Sequence, residues 1–330
     1  MFKRYLAATS CMLVTFLLVT LSLCPLTNAA TTTSGSGSGL TISPLSTNIS
    51  MNPGQTQTVP VYIQNVTSST STIEVDINDF LSGSLNGKPA LLLNGQYAPS
   101  HSLKHFIAPI NNLTLGPGQQ AQVNVNITIP KGTTGGGYYA AVRFTPIVVS
   151  GGKTITLAAS VASLILVRVS GNVIDDLKLA SFDIFQNNNG SPQVIFFSNK
   201  NLIVGATFNN VGNVQEQPFG KIILKNGDKE ISSYNINTSS PAGNILPSSE
   251  RIFTINLTNV GIIGRYTLEG NFGYGNNGQF IGGSTTFYVI PLNLVIIVLV
   301  VIVLILFLIF GLPRIIRSYN RRVIRKARHI

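Results

Sequence analysis

The sequence predicts an all-β ectodomain of two tandem sandwiches followed by one transmembrane helix near the C-terminus. Three observations carry this expectation. Short stretches of alternating apolar and polar residues, parted by Gly, Pro and Asn, fill residues 40–290. The same order of elements occurs twice in that stretch. Residues 292–312 are 21 uncharged positions, apolar apart from Asn293 and Gly311. Period-two alternation gives each segment one dry and one wet side, and no stretch of the ectodomain carries the three-and-four spacing of a long amphipathic helix.

The strands come first. Val59, Val61 and Ile63 alternate with Thr58, Tyr62 and Gln64; Val123, Val125, Ile127 and Ile129 alternate with Asn124, Asn126 and Thr128; Phe253, Ile255 and Leu257 alternate with Thr254, Asn256 and Thr258. Pro60 lacks a backbone donor, which places the first of these at a sheet edge or at a strand start. Residues 155–169 are more continuously apolar and suit a central strand, bent into two. Three Asn-Gly pairs, at 94–95, 226–227 and 277–278, suit type I′ turns between antiparallel neighbours. Pro53-Gly54 and Pro117-Gly118 suit type II turns.

The internal echo sets the domain count. A strand ending in Gln64-Asn65-Val66-Thr67 is followed by Leu115-Gly116-Pro117-Gly118 and an alternating strand; later, Asn209-Asn210-Val211-Gly212 is followed by Leu246-Pro247-Ser248 and another. Two immunoglobulin-like sandwiches follow, over residues 40–170 and 178–290, joined by a linker at 171–177. The polar leader 30–39 holds nothing to bury.

The ends fix the expected location. Lys3 and Arg4, a Leu/Val-rich run and small residues up to Ala29 read as a secretory signal over residues 1–29. An uncleaved anchor needs a longer apolar core, and a lipobox ending at Cys24 wants a small residue where Leu23 stands. As a helix, residues 292–312 cover about 31 Å, the thickness of a bilayer's hydrocarbon. Beyond them, in the basic tail 313–330, come Arg314, Arg317, Arg321, Arg322, Arg325, Lys326 and Arg328 with no acid among them. Such a cluster stays cytoplasmic, which leaves the sandwiches outside a single-pass membrane protein. Ile316, Tyr319, Val323, Ala327 and Ile330 share a helical face, so the tail either lies on anionic lipids through its cations or is a plain stop-transfer signal.

The formal charge of +11 belongs mostly to these ends: the remainder has 13 Lys and Arg against 11 Asp and Glu. The high pI therefore gives no reason to expect nucleic acid as a partner. Cys11 and Cys24 both fall in the signal, so the ectodomain stands on its cores without disulfides.

Once the strands are placed, a family resemblance follows. LTISPLSTNISMNPGQTQTVPVYIQNVTSS, from Leu40, and LTLGPGQQAQVNVNITIPKGTTGGGYYAAVRF, ending at Phe144, carry an Asn-Pro-Gly turn before a strand and a second Pro-Gly turn. Ile129-Pro130, a glycine cluster and an aromatic strand complete the order. In this order they resemble the N-terminal domain of bacterial WxL-interacting surface proteins. The resemblance implies peptidoglycan binding by that domain, followed by a second immunoglobulin-like domain, a transmembrane helix and a basic tail. Gly135, Gly136 and Gly137 permit a bulge or a close backbone approach. Tyr138, Tyr139 and Arg143 then form either a sugar- or peptide-stacking surface or ordinary strand packing.

Catalytic motifs do not emerge. No Gly-x-Ser-x-Gly, His-Glu-x-x-His, phosphate loop or dinucleotide fingerprint occurs, so no enzyme and no cofactor is expected. His101 and His105 lack a nearby carboxylate to complete a zinc site. Asp175 and Asp176 at the linker are either a calcium site between sandwiches or solvated charge. The Asn-x-Ser/Thr sequons at Asn48, Asn65, Asn112, Asn126, Asn237 and Asn256 are expected at exposed positions. The segment before the apolar stretch, Tyr288 to Leu292, has no Leu-Pro-x-Thr-Gly, so the helix is expected to remain. The function that follows is adhesion or binding at the cell envelope, with cell-wall polymer or a surface protein as partner. A strand-pairing chaperone or scaffold is the alternative.

Overall fold

The computed structural model describes residues 35–37, 39–98, 100–150, 153–156, 159–187 and 190–317. The signal segment 1–29 and the tail cations Arg321, Arg322, Arg325, Lys326 and Arg328 lie outside them.

In the first sandwich, β1 (Gly35–Gly37), β2 (Leu40–Ser43), β3 (Ser46–Met51), β4 (Thr56–Asn65) and β5 (Ser71–Asn78) come first. A hairpin of β6 (Phe80–Ser82) and β7 (Pro89–Leu91) follows, then β8 (Leu113–Leu115), β9 (Gln120–Thr128), β10 (Gly136–Ser150), β11 (Lys153–Thr156) and β12 (Val161–Val169). One sheet has the order β1-β2-β4-β9 and the other β3-β12-β10-β5-β8, with β11 on the end of β10. The leader therefore takes part, since Gly35–Gly37 pairs with Leu40 to Ile42.

The second sandwich contains β13 (Leu177–Gln186), β14 (Ile195–Phe196), β15 (Leu202–Asn210), β16 (Phe219–Asn226), β17 (Lys229–Ile236), β18 (Ser249–Asn256), β19 (Gly264–Tyr274) and β20 (Gln279–Val289). Its sheets are β13-β15-β18 and β14-β20-β19-β16-β17. Strand for strand this repeats β2-β4-β9 and β3-β12-β10-β5-β8. The echo in the sequence is thus a repeat of topology, and the chain is two tandem immunoglobulin-like sandwiches followed by a helix. In each copy the first strand is split, β2 to β3 and β13 to β14, so one segment contributes to both sheets.

Each core is built from the alternating positions. Val59, Val61 and Ile63 meet Val123, Val125 and Ile127 across β4 and β9. In the second core Phe208, Phe272 and Phe287 pack with Val204, Leu224 and Leu268, and Phe208 meets Phe272 edge to face with centroids 5.0 Å apart. Each such side chain contributes about 1.5–3 kcal/mol by leaving water.

Four expectations need correction. β4 lies inside its sheet, between β2 and β9; β2 reaches only Tyr62, so Pro60 faces an open flank and its missing donor removes no ladder bond there. Asn94-Gly95 alone has both residues at positive φ, 55° and 77°, whereas at 227 and 278 only the glycine is positive. In the β16–β17 hairpin Asn226 pairs with Lys229, which leaves Gly227 as the first turn residue and Asn226 in the ladder. The sequon at Asn65 is buried, and Asn237 is half-buried with its amide held by Pro218 and Gly243.

Other readings stand. Gly54 and Gly118 have φ of 86° and 68°, as type II turns require. β12 is central, between β3 and β10. Residues 155–169 are shared between β11 and β12, both paired with β10.

Candidate functional site

β10 is buried on both faces. Ala140, Val142 and Phe144 enter the first core. On the opposite face Tyr139 and Ala141 form a smaller cluster with Phe80, Leu166 and Leu91, and Leu246 from the second sandwich packs against it. That face is the junction between the sandwiches. There the glycine cluster acts by close approach. A Cβ on Gly135 would lie 2.6 to 2.8 Å from the backbone of Gly171 and Asn172, and one on Gly136 3.0 Å from the carbonyl oxygen of Asn213.

Asn213 occupies the space these glycines leave. Its carbonyl accepts from Gly137 N at 2.8 Å, its Nδ2 donates to the carbonyls of Gly135 and Asn172, and its Oδ1 accepts from Ile174 N. One side chain thus joins the first sandwich, the linker and the second sandwich. A second tie comes from the β6–β7 hairpin, where Leu85 O accepts from Ile252 N on β18 at 2.7 Å. Beside it, Arg251 donates to Asn244 O and stacks 5.1 Å over the Phe253 ring. Burial holds that guanidinium below its ordinary pKa.

A charged cluster lies under the cleft at this junction. Arg168 on β12 makes a bidentate pair with Asp175, both bonds 2.7 Å, and this pair holds the Asp175 carboxyl below its usual range and raises Arg168. Glu216 lies next to them, 2% exposed. Burial, a hydrogen bond with Asp175 and the charge of Asp175 push its pKa up to about 8. Its Oε2 accepts from Gly275 N at 3.0 Å, while Oε1 is buried without a partner when the group is ionised. Burial favours the protonated carboxyl, whose proton can be shared with Asp175. The cleft above is walled by Asn48 and Ser50 of β3, Gln215, Gln217, Asn244 and Asn276. Amides of this kind suit the hydroxyls and amides of an extended polymer. The two carboxyls touch each other, and one is taken by Arg168, so they do not form the separated pair that glycoside hydrolysis needs.

The residues singled out from the sequence do not form one surface. Tyr138 and Tyr139 alternate to opposite faces of β10. Tyr138 is half-buried against Phe106 and hydrogen-bonded to Thr134. Tyr139 is 3% exposed, with its hydroxyl donated to Gln215 at 3.2 Å, and burial raises its pKa. Arg143 is spent on Asn78, Thr145 and Asp76 within its own sheet. His101 Nδ1 contacts Gly137 O at 2.6 Å while His105 packs edge-on to Tyr97, so the two imidazoles do not converge. Among the described residues no cluster of three His, Cys, Asp or Glu could hold a metal. Asp175 is neither solvated nor a calcium ligand in this arrangement; the linker acid is an ion-pair partner.

Sequence reasoning missed Arg168, Asn213, Glu216 and Asp79. Asp79 is fully buried and accepts from Ala98 N and Lys104 N, which shapes the 79–106 loop. Glu216 had one signal, as the sole acid between Asp183 and Asp228.

At the other end, α1 (Leu292–Leu306) continues through a π turn, Phe307–Gly311, to Arg317. This 26-residue helix is long and apolar enough to cross a membrane and has none of its length buried against the protein. It runs five residues beyond the 21 expected, and Arg314 Nη1 turns back to Phe310 O at 3.2 Å. Arg317 is its last described residue.

The molecule therefore falls in the class of chains with two docked immunoglobulin-like sandwiches and a C-terminal apolar helix. No family model matches it, and no curated protein does. Solved structures similar to it include the class 5 fimbriae chaperone CfaA, 12% identical over 76% of this chain and 99% of that one with a TM-score of 0.34. The E. coli chaperone DraB is 13% identical, covering 76% and 96%, with a TM-score of 0.30. The CupB2 chaperone of Pseudomonas aeruginosa is 10% identical, covering 73% and 97%, with a TM-score of 0.31. Likeness at this level assigns no function.

Proposed function

We propose that the chain is a non-enzymatic, membrane-anchored binding protein of the cell envelope, which presents its two sandwiches outside the cell to cell-wall polymer or to a partner surface protein. The observation that carries this reading is the amide-lined cleft over Arg168, Asp175 and Glu216, on a pair of sandwiches locked together and tied to an apolar helix. Locked sandwiches hold the cleft walls in fixed register, which lowers the ordering cost of taking up an extended ligand. The resemblance of residues 40–144 to WxL-interacting proteins favours peptidoglycan as the polymer. The basic tail favours the cytoplasmic side for the C-terminus and contact with anionic lipids there.

The test is retention of the full chain, in detergent, by isolated cell wall. Binding that falls on Gln215→Ala with Gln217→Ala supports the cleft. Release of the wall with retention of a surface protein would remove the polymer half of the reading. Protease added to intact cells should remove the sandwiches and spare a tag placed after Ile330; the reverse pattern would invert the topology.

A second reading, strand pairing with a client, has its own observation. β14 is hydrogen-bonded to β20 only at Tyr288 and Val289, so among the described residues the backbone of β20 from Gln279 to Phe287 has no ladder partner on that flank, although β13 of the other sheet lies close to it. Such a flank is where another chain can add a strand, in place of the Val59 to Ile63 segment, which lies inside its sheet. Photo-crosslinkers at Gly282 and Ser284 that trap no protein in cells would end this reading.

A further inference from the structure

The end of the second sandwich that meets α1 is apolar on its outside. Val194 O accepts from Tyr288 N and Phe196 O from Ile290 N, both at 2.8 Å, so the segment around β14 runs beside the last residues before the helix. On the other flank Gly264 is in register with Val289, which brings Ile262 and Ile263 next to the same exit. Ile262 is 71% exposed, and Val194, Ile195, Phe197 and Ile263 are each more than half exposed. Tyr288 joins them at 38%. They are not an unfinished core, because Phe196, Tyr266 and Phe287 already close the interior at this end with at most 2% exposure.

Chain length limits what can cover this rim. β20 ends at Val289 and α1 begins at Leu292, so only Ile290 and Pro291 intervene. Two extended residues reach about 7 Å. The polar layer on each side of a bilayer's hydrocarbon is of similar thickness, roughly 5–8 Å. A helix that begins at the hydrocarbon boundary therefore holds the rim at headgroup depth. The charge around it fits. Lys200 and Arg265 are exposed at this end, and Arg265 is in register with Tyr288. The nearby acids Asp228 and Glu230 belong to the β16–β17 hairpin at the far edge of the sheet.

We propose that this rim is a lipid-contact surface, seated in the interfacial layer of the same bilayer that α1 crosses, with Ile, Val and Phe side chains among the upper acyl carbons and Tyr288, Lys200 and Arg265 at the headgroups. The second sandwich is then a foot planted on the membrane, with its position set by side chains as well as by the tether. The inference rests on α1 being a membrane span.

The chain contains no tryptophan, so a single introduced indole reports its own surroundings. The full chain is reconstituted in phosphatidylcholine/phosphatidylglycerol vesicles, with and without lipids brominated near the headgroup end of the acyl chain. Four variants are compared: Phe197→Trp and Ile262→Trp in the rim, Phe280→Trp at the opposite end of β20, and Leu299→Trp within α1. Blue-shifted, bromide-quenched emission from the two rim variants and from Leu299→Trp, with unquenched emission from Phe280→Trp, is the expected result. If Leu299→Trp is quenched while both rim variants behave like Phe280→Trp, the rim proposal fails and the span stands. If Leu299→Trp is unquenched, the span reading fails and takes the rim with it.

Discussion

Asn65 and Asn210 hold the same place in the two sandwiches. Each is fully buried where the second strand of its copy ends. Asn65 Nδ2 donates to the carbonyls of Ser69, Leu115 and Gly116, and its Oδ1 accepts from Thr67 N and Oγ1. Asn210 Nδ2 donates to Val214 O and Ile245 O, and its Oδ1 accepts from Gly212 N. Each amide thus ties its own loop to the segment that precedes β9 or β18.

Removing either amide leaves several buried backbone groups without partners. Asn65→Ala and Asn210→Ala should each destabilise the chain by about 2–4 kcal/mol, given roughly 1–3 kcal/mol for each unsatisfied buried group. Urea unfolding in detergent measures it. Asn→Asp at either site should cost more, since it turns a carboxylate oxygen toward carbonyls. The same burial predicts that Asn65 stays unmodified in a glycosylating host while Asn112 and Asn126, both exposed, are modified.

Glu216 makes stability depend on pH in a defined direction. Its folded pKa, about 8, lies above the ordinary 4.5, so between these values the folded chain binds more protons than the unfolded one. The contribution of this group to stability therefore falls as pH rises from 4.5 to about 8 and is level beyond. Asp175 has the opposite sign: its lowered pKa gives stability that is lost as pH drops below the ordinary carboxylate range. Glu216→Gln should flatten the slope between pH 4.5 and 8 and raise stability at pH 8.5. Denaturation midpoints across that range check it.

The junction glycines are predicted to be intolerant of even one methyl. Gly135→Ala would press on the linker backbone at 2.6 Å and should cost about 1–3 kcal/mol as an overpacking change. Gly116→Ala meets only the Gln119 side chain at 3.5 Å and should stay within about 0.5 kcal/mol. The paired unfolding curves decide between them.

Tyr139 is predicted to act in folding. Tyr139→Ala should destabilise by about 3–5 kcal/mol, the usual cost of truncating a buried aromatic. Tyr139→Phe, which forfeits only the bond to Gln215, should cost about 0.5–1.5 kcal/mol and leave retention on cell wall unchanged. Loss of retention by the Phe variant at full stability would return Tyr139 to the ligand-binding surface.

The parts legible from the sequence were those written locally. Alternation at Val59, Val61 and Ile63 names a dry face because side chains on a strand have a period of two. The Asn65 and Asn210 motifs marked the repeat because both copies need the same buried amide. What stayed hidden depends on contacts far apart in the chain. Tyr138 and Tyr139 look like one aromatic patch in sequence, yet alternation sends them to opposite faces, and only the second sandwich decides that the outer face is buried. The glycines announced a close approach, but that Asn213 is what approaches, 78 residues from Gly135, is set by tertiary structure. Arg168, Asp175 and Glu216 likewise meet only when the sandwiches dock.

The placement of the chain's entry and exit in the second sandwich has a mechanical consequence. β13 enters at the junction and β20 leaves at the opposite end into α1, so a pull applied between these two ends runs along the strands. Ladder hydrogen bonds lie across the strands, so the bonds joining β19 to β20, from Gly264 opposite Val289 to Tyr274 opposite Gln279, are loaded together in shear and do not unzip one at a time. A sandwich attached at these two ends resists traction along its strands far better than one peeled from its end.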